Sequence, residues 1–107
     1  MDGQMTLEGP GVTGEKIMRD AMEWRTRNLR AWTLMKEKAE ERFAQGRRTS
    51  IAELAEDARY SMRLDGYTDG FRINNTTRAG LARLMLQECP HLEKIVEVRK
   101  SKADWWA

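Results

Sequence analysis

Apolar residues recur at steps of three and four through most of this chain, the spacing that gathers side chains on one side of an α-helix. Ile17, Ala21 and Trp24 follow it, with Met18 and Met22 beside them, and predict a short helix from about Glu15 to Trp24. Leu29, Trp32, Met35, Ala39 and Phe43 form the longest stripe, with charges on the opposite face. Asn28 stands where an N-cap belongs, and Gly46 where a helix often closes on a left-handed residue. Ser50-Ile51-Ala52-Glu53 reads as a capping box, the serine hydroxyl taking an exposed amide while the glutamate reaches back. The helix it opens has Ile51, Leu54, Ala55, Ala58 and Met62 on one narrow face; Tyr60 falls opposite, among Glu53, Glu56 and Asp57. Asn74 or Asn75 caps a fourth helix over about 76–89, stopped by Pro90. Its apolar face is Ala82, Met85, Leu86 and Cys89, with Leu81 at the edge.

The segments between these stripes predict a small β element. Phe71-Arg72-Ile73 alternates, and Ile95 to Arg99 is the better strand, with Val96 and Val98 facing one way and Glu97 and Arg99 the other. Arg47-Arg48-Thr49 is a connector or one short strand, Asp65 to Gly70 is turn chemistry, and residues 90–94 make one further turn. Residues 1–14 hold four of the eight glycines and Pro10 without apolar periodicity, and read as a flexible tail. The expectation is a mainly α protein with a small β element, a winged-helix or helix-turn-helix-like single domain over 15–104. An aromatic end follows at 105–107.

Composition narrows the setting. A chain of 107 residues, 34% charged and 40% hydrophobic, suits one modest core. No apolar run approaches the roughly 20 residues that span a bilayer. The first residues lack the basic start and apolar stretch of a signal peptide, and Cys89 is the single cysteine. A cytoplasmic protein with no membrane contact is expected. Net charge is only +2, but it is unevenly spread. From Phe71 to Lys102 the cations Arg72, Arg78, Arg83, Lys94, Arg99, Lys100 and Lys102 face only Glu88, Glu93 and Glu97. That cationic half favours a polyanionic partner.

Catalytic chemistry finds little support. Cys89 and the only histidine, His91, lack a third orienting group, and a nucleophile needs its base within hydrogen-bond reach. Asp65 and Asp69 lie in a loop without the ligand spacing or closing glutamate of a calcium site. No glycine-rich phosphate loop is present. Arg47-Arg48-Thr49-Ser50 matches a site for an arginine-directed kinase, although Ser50 already has a use as a cap. No enzyme, cofactor or metal is expected.

A DNA-reading face is the stronger reading. On a helix starting near Thr76, the positions Thr76, Gly80, Arg83 and Gln87 share one side. A hydroxyl, a guanidinium and an amide can hydrogen-bond base edges in the major groove, and a glycine lets the backbone come close. Arg78 in the first turn and Arg99, Lys100 and Lys102 beyond the helix would grip phosphates of double-stranded DNA. The linker between the third and fourth helices is about a dozen residues, so only a variant of the tight helix-turn-helix fits. The bland alternative is a solvated polar helix face.

Several landmarks recur together: Gly46-Arg47-Arg48, Ala58-Arg59-Tyr60, Phe71-x-Ile73-Asn74-Asn75, Ala82-Arg83 and Glu97-x-Arg99-Lys100-Ser101-Lys102. Over about residues 28–104 this string resembles small proteins encoded by bacteriophages and prophages. That group has no established activity, so the resemblance implies a phage or bacterial cytoplasmic setting and carries over no functional residue. With the DNA-reading face, that setting makes a phage or prophage regulatory protein the first expectation, and the resemblance adds the alternative of a small accessory factor that modulates a host or phage protein. For the second role, or for a homodimer, Trp105 and Trp106 are the anchors, since aromatic side chains are favoured in interfaces.

Overall fold

The apolar stripes become four α-helices in the computed structural model, which describes residues 14–67 and 70–98. They are α1 (Gly14–Arg27), α2 (Leu29–Ala44), α3 (Ile51–Leu64) and α4 (Asn75–Glu88), followed by a 3-10 turn at Pro90–Lys94. The turn expected at 90–94 is therefore present. The N-terminal residues 1–13 and the expected anchors Trp105 and Trp106 lie outside the described residues.

Local chemistry accounts for the helix ends. Gly46 (φ 68°) and Gly66 (φ 93°) both adopt the left-handed backbone that glycine reaches without a Cβ penalty. Each closes a helix in the same way: Gly46 donates to Phe43 and Arg47 to Arg42, and Gly66 donates to Arg63 and Tyr67 to Met62. Asn74 caps α4, its side-chain oxygen accepting the Thr77 amide at 2.7 Å. Ser50 caps α3 by accepting from Glu53 N at 3.3 Å. The capping box is only half formed, because Glu53 accepts from the Thr49 hydroxyl at 3.1 Å instead of reaching the Ser50 amide.

Asn28 does not cap α2. Its side-chain amide donates back to the Trp24 carbonyl at 3.0 Å, and its backbone amide donates to the same carbonyl. The chain thus passes from α1 to α2 through a single kinked residue, with hydrogen bonding nearly unbroken. Asn74→Ala is expected to lower stability by about 1 kcal/mol, and Ser50→Ala, with its longer bond, by less. Urea unfolding of the two variants measures both.

Two helix pairs build the core. α1 packs along α4 and α2 along α3, with the 3-10 turn closing over α4. Ion pairs at both ends, Arg42 with Asp57 and Arg30 with Asp65, set α2 and α3 antiparallel. Trp32, Met35, Ile51, Leu54, Leu81, Met85 and Leu92 are the largest fully buried side chains. Trp24 sits at the edge of this core, its ring edge-on to Phe71 at 5.5 Å. Its indole donates to the Arg72 carbonyl at 2.8 Å. From the other side Arg59 stacks over Phe71 at 4.6 Å and donates to its carbonyl. The loop ahead of α4 is therefore clamped between α1 and α3.

The β element is smaller than expected. Among the described residues no strand forms, and one parallel bridge joins Thr49 to Val96. Thr49 N donates to Ile95 O at 2.8 Å, and Glu97 N to Thr49 O at 2.9 Å. Residues 71–73 make no ladder, because their carbonyls at Phe71 and Arg72 are taken by Arg59 and Trp24. The alternation expected at 95–99 survives only in part, with Val96 buried and Val98 exposed.

Candidate nucleic-acid interface

The expected reading helix is α4, and its surroundings decide what it can offer. Thr77, Gly80, Leu81, Ala82, Leu84 and Met85 are all buried, which is a little over half of its circumference. A helix enclosed to that degree is a core element, and less than half of it remains to face solvent. Thr76, Arg78 and Gln87 are exposed, and Arg83 is half-buried. Burial pushes the Arg83 guanidinium pKa down from its usual value.

Gly80 requires a correction. The helical spacing puts it on the solvent face, where its bare backbone would admit a ligand; it lies instead against α1. A Cβ built there would meet Ile17 O at 2.8 Å and the Ala21 Cβ at 2.9 Å. The missing side chain serves a close helix–helix contact, and the polar stripe is broken at that point.

At the other end of α4 the structure assembles a cluster that the helical periodicity does not announce. Glu88 accepts from Arg25 of α1 at 2.5 Å, from the Trp32 indole of α2 at 3.1 Å and from Lys36 of α2 at 2.8 Å. Burial alone would raise its pKa, but hydrogen bonds from Lys36, Trp32 and Arg25 outweigh it and hold the carboxyl below the usual glutamate range. Three helices thus meet on one carboxylate, and its partners lie over 50 residues away in the chain, out of reach of any local pattern. Next to it His91 bonds Glu40 through Nε2 at 2.8 Å and stands edge-on to Phe43. Burial raises the pKa of the Cys89 thiol, with Glu40 adding to the shift, so the thiol is poorly suited to act as a nucleophile. No group of three His, Cys, Asp or Glu side chains is placed to hold a metal among the described residues.

Ion pairing sorts the cations into two sets. Arg19, Arg25, Arg27, Arg30, Arg42 and Arg59 each meet a carboxylate within the helical body. Arg47, Arg48, Arg63, Arg72, Arg78 and Lys94 are exposed and pair with no carboxylate among the described residues; the Arg47 guanidinium donates to the Gln45 side chain. The Thr49–Val96 bridge ties the end of the Arg47-Arg48 connector to residues 95–97, the segment that follows Lys94. That segment leads on to Arg99, Lys100 and Lys102, which lie outside the described residues. Glu93 and Glu97 flank Lys94 and temper the local potential. In the sequence Arg47 and Arg48 read as a connector, because nothing local marks which distant segment they join.

No helix is long and apolar enough to cross a membrane among the described residues. No family model, curated protein or solved structure matches the chain.

Proposed function

We propose that this protein binds nucleic acid, in the first place double-stranded DNA, mainly through the phosphate backbone. The observation that carries this reading is the Thr49–Val96 bridge, which joins the connector holding the carboxylate-free Arg47 and Arg48 to the segment that precedes Arg99, Lys100 and Lys102 in the sequence. Arginines that meet no carboxylate keep most of their hydrogen-bonding fork for phosphate. Arg99, Lys100 and Lys102 follow that segment in the sequence and add cations to this reading. Within this reading the bridged pair stands in for the wing of a winged-helix-like domain, and α3 and α4 form a variant helix-turn-helix. Thr76, Arg78, Arg83 and Gln87 then contribute less base reading than an open recognition helix does, because α4 is largely enclosed. A phage or prophage regulatory role rests on the resemblance of the landmark residues.

Fluorescence anisotropy with a labelled random-sequence duplex tests the proposal. Binding is expected to weaken steeply with salt, as it does when several phosphates displace counterions. The double variant Arg47→Ala/Arg48→Ala is expected to bind all sequences more weakly, with a salt slope reduced by roughly one for each phosphate that is no longer neutralised. Absence of binding at low salt, or a double variant that binds like the wild type, would remove this edge from the function.

A further inference from the structure

α3 shows one face that stays open to solvent and packs against no other element among the described residues. Opposite its buried residues Ile51, Leu54, Ala55 and Ala58, the positions Glu53, Glu56, Tyr60, Arg63 and Leu64 fall within one stripe, all exposed. Tyr67, just past the helix, is exposed at 49%, Tyr60 at 58% and Leu64 at 70%. Single exposed apolar residues are ordinary on a protein surface, but a run of them along one helix face is less so. The stripe is also polarised. Its N-terminal half carries Glu53 and Glu56, and its C-terminal half carries Arg63 and the apolar side chains.

We infer that this face is a homodimer contact, in which two copies pack their α3 helices antiparallel about Tyr60. Charge complementarity selects a second copy as the occupant. A two-fold contact must be complementary to itself, and an acidic half followed by a basic, apolar half meets that condition only in the antiparallel sense. Centred beside Tyr60, the arrangement sets Glu56 of each copy opposite Arg63 of the other. Both groups are open to a new partner. Arg63 stacks over Tyr60 at 5.9 Å and meets no carboxylate among the described residues. Glu56 gives only Oε2 to Arg59, and its side chain is 73% exposed. The Tyr60 rings then meet near the axis, and Leu64 covers the aliphatic stem of the opposing Glu56. A face one helix long is small beside the roughly 800 Å² per partner of a standard interface, so the dimer is weak and concentration-dependent.

Sedimentation equilibrium of the full chain from micromolar to near-millimolar concentration tests the inference. The wild type is expected to associate reversibly to a dimer and no further. Leu64→Glu is expected to be monomeric throughout, with an unchanged far-ultraviolet circular dichroism spectrum because the position is exposed. Glu56→Arg and Arg63→Glu are each expected to weaken the dimer at least tenfold, and the two together to recover most of the loss. A wild type that stays monomeric at the highest concentration overturns the inference. So does a dimer indifferent to Leu64→Glu, or a charge-swapped double variant no stronger than its parents.

Discussion

Gly80→Ala is expected to lower the stability of the fold by about 2 kcal/mol, although alanine is the better helix former. In an open helix the substitution gains roughly 1 kcal/mol. Here the added methyl would lie 2.8 Å from Ile17 O, 2.9 Å from Ala21 Cβ and 3.1 Å from Ile17 Cγ2. The nearest of these atoms is backbone and cannot rotate away, so α1 and α4 must separate. Overpacking of this kind costs about 1–3 kcal/mol, and opposing helices leave the upper part of that range. Gly80→Val, with two more methyls and poorer helix propensity, is expected to cost more still. Urea unfolding with the slope unchanged measures both. If Gly80→Ala unfolds at or above the wild-type midpoint, α1 does not sit on α4 at this distance, and Gly80 returns to the solvent face where the sequence pattern placed it.

Glu88→Ala is expected to cost about 2–3 kcal/mol. It leaves the Trp32 indole N–H without its acceptor and brings Arg25 and Lys36 together without their shared anion. Hydrogen bonds to charged groups contribute about 1.5–3 kcal/mol each, and groups as open as these lie towards the lower end. The side chains of Glu88, Arg25 and Lys36 keep 24%, 31% and 32% of their exposure, so solvent screens part of the attraction. A carboxylate in the last turn also opposes the helix dipole, which returns a few tenths of a kcal/mol on its removal.

The same group gives stability a pH dependence of known sign. The folded state holds the Glu88 carboxyl below its usual range, so the unfolded chain takes up the proton first as pH falls. The contribution is complete above the usual glutamate range, declines as pH drops through it, and is gone below the folded value. Between about pH 5 and pH 3 the wild type is therefore expected to lose more stability than Glu88→Gln, which has no charge there to lose. Parallel acid titrations of the two proteins would contradict the assigned role of Glu88.

Much of the helical framework was legible along the chain. Steps of three and four located α1 to α4, and Asn74, Ser50 and Gly46 marked their ends, because caps and amphipathic stripes depend on residues within a few positions of one another. Asn28 does not cap as its position suggests because α1 and α2 join without a loop, which leaves its amide a helical carbonyl to bond in place of a fresh N-terminus. The expected strand at 95–99 shrank to a bridge because a strand needs a neighbour, and local alternation cannot supply one.

The candidate site was less legible. Thr76, Arg78 and Gln87 lie exposed as the pattern places them, but Gly80 has no side chain to declare a polarity, and its neighbours point to the solvent face whereas it packs against α1. Arg47 and Arg48 gained significance only when Thr49 met Val96, and Glu88 only when Arg25, Trp32 and Lys36 converged on it. By itself, then, the sequence determined the four helices, most of their caps and the excess of cations towards the C-terminal half. The tertiary structure alone decided that α4 is enclosed, that Gly80 is a packing contact and that the cations divide into paired and open sets. The division follows from range: periodicity and capping act over one or two turns, whereas close packing and ion pairing join residues that only the folded chain brings within reach.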